Sequence, residues 1–288
     1  TPYTKAIMAV DIFGHSCDID ALMDIARCHN LKVITDSAQA PGVLNKGRFS
    51  GTLAHVGGFS LNYHKHIHTG EGGILVTNDD DIFERLQLIR NHAEAVVMDK
   101  SVSNLVNMVG HNFRLGEIEC AIGIEQLKKL SEIIKRRQRS AEKLTEGLQG
   151  LIGLRTPQTK QSCTHAYYMY PMVLDIDIIG VTRDKIYAAL NAEGVTGLTE
   201  GYANIHQLPM YQKKIAYGSK GFPWSSEICK RDVNYDKGIC PVAENLHDKS
   251  YLGYEMCMYE LDDDDIDLIV KAFRKVWSQL NTLSPDNK

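Results

Sequence analysis

A lysine beside a glycine-rich turn is the first residue of this sequence that could do chemistry. Lys65 follows the apolar run 57–61 and precedes the segment 69–73, which contains three glycines. Glycines let a backbone approach a ligand closely, and a lysine amine forms a Schiff base with a carbonyl group when burial or neighbouring cations lower its pKa. A lone lysine is more often exposed and solvated. Ser60, five residues earlier, has a hydroxyl group suited to binding a phosphate.

Asp36 is a second candidate because it ends the apolar run 31–35. If that run is a strand of an open α/β sheet, its carboxyl end lies where such sheets bind ligands. A buried carboxylate needs a partner there, such as a protonated ring nitrogen, a metal ion or a helix N-terminus. Aspartate is also common in turns and caps, so a purely structural role stays open.

Three alternating histidines suggest a rival chemistry. On an extended segment His64, His66 and His68 would lie on one face. With Asp36 or Glu71 they could then bind zinc or iron, as in a metal-dependent hydrolase. The alternation requires a regular strand, however, whereas the glycines that follow favour a turn.

The elements that must position these residues alternate between strand and helix. Apolar runs at 5–10, 31–35, 56–61 and 73–77 predict strands, and helices are predicted at 18–29 and 78–91. Such alternation is typical of a mainly parallel sheet covered by helices. Asn112 and Arg114 stand just before a long predicted helix at 115–148 and, with Glu117, fit a polar helix start.

The second half of the sequence has a different pattern. We predict a strand at 167–174, a helix at 182–193, a loop-rich stretch at 201–247 and an amphipathic helix at 262–283. The long helix is a plausible bridge between domains. We therefore expect a large α/β domain at 1–130, and a connecting helix with a smaller α+β domain at 131–288.

Composition excludes several classes of protein. The net charge is −4 and the pI about 6.2, so nothing global attracts nucleic acid or an anionic membrane. The basic run 135–139 fits a solvated helix face. Seven scattered cysteines without a C-x-x-C pair indicate reduced thiols, and no apolar run is long enough to span a bilayer. A cytoplasmic protein is expected.

Four motifs together resemble the DegT/DnrJ/EryC1/StrS family of nucleotide-sugar aminotransferases, which are fold-type I pyridoxal-phosphate enzymes. They are VITDSAQA (33–40), GFSLNYHKHIHTGEGG (58–73), LIRNH (88–92) and GHNFRLGEIECAIG (110–123). The order and spacing of the four are far more specific than any one motif. The resemblance implies pyridoxal 5'-phosphate as the cofactor, and no metal ion is expected.

The resemblance also implies a role for individual residues. Asp36 matches the carboxylate that pairs with the pyridinium nitrogen and keeps the ring an electron sink. Gln39 matches a residue near the phenolic oxygen of the cofactor, and Ser60 matches a phosphate ligand. Lys65 matches the Schiff-base lysine, which also moves the substrate proton. Related sugar dehydratases have histidine at that position, so Lys65 favours transamination.

Further implications concern assembly and substrates. Asn112 matches a phosphate ligand that the neighbouring subunit supplies, which implies a homodimer with its active site at the interface. His206 matches a small-domain loop near the sugar site. The implied reaction moves an amino group from an amino acid, typically glutamate, to a nucleotide-linked keto-sugar.

One departure from the family is expected to matter. Family chains begin well before the position of Thr1, with a segment that binds phosphate and stacks an aromatic residue on the cofactor. We therefore expect a large domain that is incomplete at its N-terminus and that exposes apolar surface. A regulatory protein that binds the cofactor without turnover, or an inactive fragment, is the alternative from a second functional class.

Overall fold

The computed structural model describes residues 1–94, 106 and 108–283. The chain forms two compact units. The first unit comprises Thr1–Glu142, Gln158–Met169 and Met256–Leu261, and the second unit comprises Lys143–Pro157, Tyr170–Glu255 and Asp262–Lys288. The boundary between the two units falls inside the long helix, between residues 142 and 143, which is twelve residues beyond the predicted boundary between 130 and 131. The predicted domain boundary stays a prediction.

The first unit is built from short strands and three α-helices that flank them. Its strands are β1 (Ala6–Val10), β2 (Lys32–Asp36), β3 (Leu44–Asn45), β4 (Arg48–Phe49), β5 (Val56–Ser60) and β6 (Gly73–Val76). Its helices are α1 (Ile19–Cys28), α2 (Asp80–Arg90) and α3 (Glu117–Leu148), the last of which continues into the second unit. Short 3₁₀ turns cover Ile12–Gly14 and Met256–Met258.

The main sheet of the first unit has the order β1-β2-β5-β6. The first three of these strands are parallel, and only β6 is antiparallel to its neighbour. The expected mainly parallel α/β sheet is thus confirmed. Asp36 pairs with Gly58, so the carboxyl ends of β2 and β5 meet at one edge, with Ser60 two residues further along. That edge is where open α/β sheets bind ligands.

A small hydrophobic core holds the loop after β5 in place. It consists of buried side chains from that loop, from α3 and from two other loops: Ala40, Val43, Leu61, Ile67, Leu130, Ile134 and Ala166. Leu61 and Ile67 flank Lys65 in the sequence, so the loop that carries this lysine is anchored on both sides. Close packing of this kind restricts how far the loop can move.

The first turns of α3 expose several apolar side chains. Ile118, Ile124 and Leu127 are 60% exposed or more. With β6 and α2, this part of α3 lines an open, mainly apolar cavity of about 810 Å³. Apolar surface is therefore exposed on this face of the first unit.

The second unit contains an antiparallel sheet with helices. Its strands are β7 (Leu154–Arg155), β8 (Tyr170–Leu174), β9 (Leu198–Thr199) and β10 (Tyr251–Tyr254), in the order β7-β8-β10-β9. Its helices after α3 are α4 (Ile176–Ile179), α5 (Arg183–Ala192), α6 (Pro209–Gln212), α7 (Pro241–Asn245), α8 (Asp263–Ser278) and α9 (Leu280–Leu283), with short non-α helical turns at Ile205–Gln207 and Leu246–Ser250. This composition agrees with the expected α+β character.

The start of α8 shows how sequence sets a helix boundary. The Asp262 carboxylate accepts a hydrogen bond from the Asp265 amide at 2.9 Å, and the Asp265 carboxylate accepts one from the Asp262 amide at 3.1 Å. This reciprocal capping box satisfies two backbone donors that the first turn leaves unpaired. Acidic residues here also complement the positive end of the helix dipole.

None of the described helices has both the length and the apolar character that membrane crossing requires.

Two substitutions in α3 should separate its buried and exposed faces. Leu144 is 1% exposed, whereas Ile118 is 75% exposed. We expect Leu144→Ala to lower the free energy of unfolding by about 2–5 kcal/mol, because it leaves a cavity, and Ile118→Ala to change it by about 0.5 kcal/mol or less. Urea unfolding followed by circular dichroism measures both. Equal losses in the two variants would contradict this burial pattern.

Candidate functional site

Lys65 lies in the loop after β5 and is half-buried. The loop turns tightly here, since the Lys65 amide donates to the Asn62 carbonyl oxygen at 3.0 Å. Its side-chain nitrogen Nζ sits 4.4 Å from the centroid of the Tyr168 ring. Burial lowers the pKa of this amine, and the nearby groups of Cys257 and Asp36 oppose that shift without reversing it. The amine is therefore easier to deprotonate than that of an exposed lysine.

Asp36 ends β2 and remains exposed at the ligand-binding edge of the sheet. Its Oδ1 atom accepts a hydrogen bond from the Ala38 amide at 3.1 Å. Within the described residues no hydrogen bond to Oδ2 is found, so this oxygen can accept from a ligand. Asp36 ends β2 and Lys65 follows the neighbouring strand β5, so both residues lie at this edge of the sheet, and the charge of Asp36 raises the pKa of Lys65.

Gln39 lies on the loop that follows β2, and Ser60 lies at the end of β5. Gln39 is buried, and its Oε1 accepts a hydrogen bond from the Phe13 amide at 2.6 Å. The Ser60 hydroxyl oxygen accepts one from the Asn62 amide at 3.2 Å, while its hydrogen has no acceptor among the described residues. Ser60 can therefore still donate to a ligand.

Asn112 and His206 lie elsewhere in the chain. Asn112 is exposed and forms a β-bridge with Asn91 beside the end of α2, and in the described part of the chain no hydrogen bond joins it to Lys65 or Asp36. His206 belongs to the second unit, where its Nε2 atom donates to Glu244 Oε1 at 2.8 Å. Their roles in phosphate and sugar binding stay predictions.

Glu244 organises the loop around His206. Its carboxylate also accepts hydrogen bonds from the Gly238 amide, at 2.7 and 2.9 Å to its two oxygens, and from the Cys240 amide at 3.2 Å. Burial raises the pKa of this carboxyl group, but the hydrogen bonds from His206 and the two amides outweigh burial and hold the pKa below its ordinary value. His206 is thus fixed in orientation by a charged partner.

The three alternating histidines do not converge. His66 is buried and its Nε2 donates to the Ala166 carbonyl oxygen at 3.0 Å, whereas His68 Nδ1 accepts from the Gly70 amide at 3.4 Å. The His64 ring lies near the rings of Tyr63 and Tyr168, with centroid distances of 5.1 and 6.2 Å. No set of three His, Cys, Asp or Glu side chains placed to share a metal ion occurs in the ranges that the structure describes. The extended segment that the hydrolase hypothesis requires is a turn.

Two buried histidines are held neutral. Burial lowers the pKa of His66 to about 3, and the positive charge of Arg137 adds to this effect. Burial also lowers the pKa of His165 to about 3, with a smaller contribution from His15. His165 accepts the Tyr167 amide hydrogen at Nδ1, 2.9 Å away. Both imidazoles therefore act as packed, neutral hydrogen-bonding groups at neutral pH.

Sequence reasoning missed the segment that covers Lys65. Residues 167–174 were expected to form one strand, but β8 begins only at Tyr170. Tyr167 has a φ of 51°, which a strand does not allow, and this kink separates Tyr168 from the strand. Tyr168 instead packs in the first unit, where the Lys65 amine lies over its ring. No spacing in the sequence signals that contact, because the two residues are far apart along the chain.

The chain is similar to known aminotransferases in sequence and in structure. The model of the DegT/DnrJ/EryC1/StrS aminotransferase family matches residues 1–246. The spore coat polysaccharide biosynthesis protein SpsC of Bacillus subtilis is 29% identical over 96% of this chain and 67% of its own length. GDP-perosamine synthase of Caulobacter vibrioides is 35% identical over 73% of this chain and 56% of its own length.

The chain is also similar to solved structures of aminotransferases. The crystal structure of S. venezuelae DesV superposes with a TM-score of 0.78 and 26% identity, over 97% of this chain and 67% of that one. A DegT DnrJ EryC1 StrS aminotransferase from Brucella abortus has a TM-score of 0.76 and 26% identity, over 96% of this chain and 65% of that one. The chain thus spans between about a half and two thirds of the length of these relatives.

Proposed function

Because the chain belongs to the DegT/DnrJ/EryC1/StrS aminotransferase family, we propose that it moves an amino group from an amino acid to a nucleotide-linked keto-sugar, with pyridoxal phosphate as cofactor. The GDP-perosamine synthase relative supports a nucleotide-linked acceptor. Glutamate is proposed as the donor, as the resemblance implies. We further propose that the protein acts in the cytoplasm.

The observation that carries this proposal is the environment of Lys65. A half-buried amine lies over an aromatic ring at the ligand-binding edge of a parallel sheet, with a carboxylate nearby. A lysine that burial makes easier to deprotonate can act as a nucleophile near neutral pH. A surface lysine with a purely solvating role has none of these features.

The residues present fit pyridoxal phosphate. The Oδ2 atom of Asp36 can accept a hydrogen bond from a protonated ring nitrogen, and the Ser60 hydroxyl hydrogen is available to a phosphate oxygen. Lys65 supplies the amine, and Gln39 stands on the loop that follows Asp36. An anionic acceptor, a hydroxyl donor and an amine are suited to a protonated ring nitrogen, a phosphate group and a carbonyl group, respectively.

Each side chain has a separate part in the proposed mechanism. Pyridoxal phosphate, when bound, supplies an electron sink that stabilises negative charge on the substrate carbon. Asp36 keeps a proton on the ring nitrogen, because its carboxylate stabilises the adjacent positive charge. Lys65 Nζ, as a free amine, takes the proton from the substrate carbon and later returns a proton to the carbon that receives the amine. The Tyr168 ring, which lies against Nζ, limits the access of water to this amine.

Two parts of the proposal concern residues outside this group. We propose a homodimer in which Asn112 binds the cofactor phosphate of the neighbouring subunit, which its exposed position permits. We also propose that His206 contacts the sugar, with its ring orientation set by Glu244. Both roles rest on the family resemblance.

Cofactor attachment tests the proposal. We expect added pyridoxal phosphate to give a visible absorption band, and borohydride reduction followed by peptide mass mapping to find the pyridoxyl group on Lys65. A matched sample that is mapped without reduction controls for reversible binding. A pyridoxyl group spread over exposed lysines, with Lys65 unmodified, would contradict the proposal. Attachment at Lys65 without amino transfer from glutamate to any keto-sugar would instead indicate a regulatory protein.

A further inference from the structure

Lys65 is held at two points by one short segment of the chain. Its neighbour His66 donates from Nε2 to the Ala166 carbonyl oxygen at 3.0 Å, which fixes the main chain of the loop. Two residues beyond Ala166, the Tyr168 ring lies under the amine, with Nζ 4.4 Å from the ring centroid. The backbone and the tip of the lysine side chain are thus both fixed by residues 166–168.

Tyr168 is itself fixed on both sides. Its amide donates to the Phe13 carbonyl oxygen at 2.9 Å, and its carbonyl oxygen accepts a hydrogen bond from the Cys257 amide at 3.2 Å. Gly14 has a φ of 95°, and a Cβ atom there would lie 3.1 Å from the Tyr168 nitrogen, so only glycine permits this approach. Tyr168 is 8% exposed. The hydrogen bonds therefore hold the main chain of Tyr168, and close packing around the buried side chain restricts rotation of its ring away from Lys65.

The ring is also an electrostatic partner of the amine. No hydrogen bond or ion pair to Lys65 Nζ is found among the residues that the structure describes. The charged and titratable groups around it are Asp36 at the end of β2, Cys257 on the 3₁₀ turn, Arg137 behind Cys257 on α3, and His64 and His66 on its own loop. The face of an aromatic ring attracts a cation, most strongly where water is excluded.

We propose that Tyr168 is a positioning residue that holds the Lys65 amine through the face of its ring. Its role in amino transfer rests on the proposed function, but the contact itself does not. The ring favours the ammonium form and restricts the rotamers of Lys65, so that Nζ stays at the edge of the sheet beside Asp36. Neither sequence spacing nor the motifs around Lys65 assign a function to Tyr168.

The contact can be tested on the protein without cofactor. Trace acetylation with acetic anhydride at a series of pH values, followed by peptide mass spectrometry, gives the labelling midpoint of Lys65. Exposed Lys129 in the same sample is the internal reference. We expect Tyr168→Leu to lower the midpoint, so that Lys65 labels about two to five times faster at a pH below the midpoint. Tyr168→Phe keeps the ring and should keep the wild-type profile.

Three outcomes would overturn the proposal: a wild-type profile for Tyr168→Leu, a midpoint that rises in that variant, or an equal shift in Tyr168→Phe. Tyr168→Met provides a second ring-free variant if Tyr168→Leu does not fold, because the flexible methionine side chain fills irregular space. Circular dichroism establishes that each labelled variant is folded.

A second measurement separates this proposal from the proposed function. At a pH above all the labelling midpoints, where the amine is deprotonated in every variant, the rate at which pyridoxal phosphate attaches to Lys65, followed by visible absorbance, should fall in Tyr168→Leu and return to the wild-type value in Tyr168→Phe. If the cofactor never attaches to wild-type Lys65 while the labelling midpoint still shifts, the proposed function fails and the ring contact is supported. If it attaches at equal rates in all variants and the midpoints agree, the positioning role is overturned.

Discussion

Replacement of Lys65 by arginine is expected to lower the rate of amino transfer by about 10²–10⁴-fold, the range over which a positioned acid–base group acts. Arginine keeps the positive charge over the Tyr168 ring, so the fold and the ring contact should survive. A guanidinium group does not lose its proton in a protein and therefore cannot serve as a free amine. The rate of 2-oxo acid formation from glutamate, with a nucleotide-linked keto-sugar as acceptor, measures the effect.

The same substitution at an exposed lysine is the matched control. Lys129 is exposed on α3, so Lys129→Arg should leave the rate unchanged. Borohydride reduction in the presence of pyridoxal phosphate should label Lys65 in wild type and in Lys129→Arg, and should leave that site unlabelled in Lys65→Arg. Full activity of Lys65→Arg would mean that another residue carries the amine chemistry.

Acidification from pH 7 to pH 5 is expected to reduce the free energy of unfolding by about 2 kcal/mol for each of His66 and His165. In the folded protein burial holds the pKa of both near 3, whereas an unfolded histidine has a pKa of about 6.5. The unfolded state therefore binds more protons between these values. The stabilisation is fully present above about pH 6.5 and is lost progressively as the pH falls towards 3.

A substitution at His66 isolates its share of this pH dependence. His66→Gln can keep a donor to the Ala166 carbonyl oxygen but does not titrate, so the loss of unfolding free energy between pH 7.5 and pH 5 should be smaller by about 2 kcal/mol. His29 is exposed at the end of α1, and His29→Gln should keep the wild-type slope. Urea unfolding at pH 7.5, 6.5 and 5 provides the three free energies. An unchanged slope in His66→Gln would show that this imidazole also titrates normally in the folded protein.

Local sequence signals were sufficient for most elements near the site. The strands that end at Asp36 and Ser60, and the long helix from Glu117, were predicted to within a few residues, because apolar periodicity and turn residues act over short distances. The parallel pairing of β2 with β5 follows from the alternation of strand and helix. It brings the ends of both strands to one edge, as expected.

Contacts between distant segments were not predictable in the same way. The covering of Lys65 by Tyr168, and the bond from His66 to Ala166, join segments about a hundred residues apart. β10 was also missed, because its four residues are all buried and include Gly253, so they show neither alternation nor a long apolar run. The apolar positions of α3 likewise do not say which neighbours cover them, and Ile118 is exposed.

Ala166, whose carbonyl oxygen accepts the hydrogen bond from His66, lies 100 residues after that histidine in the sequence. Lys65 therefore emerges from the ribosome well before the segment that encloses it has been synthesised, and Cys257 is added later still. Contacts of such large sequence separation form late in folding, because closing a long loop costs entropy before the contact repays it. During synthesis Lys65 is an ordinary solvated lysine, and it acquires its distinctive reactivity only when the rest of the first unit has closed around it.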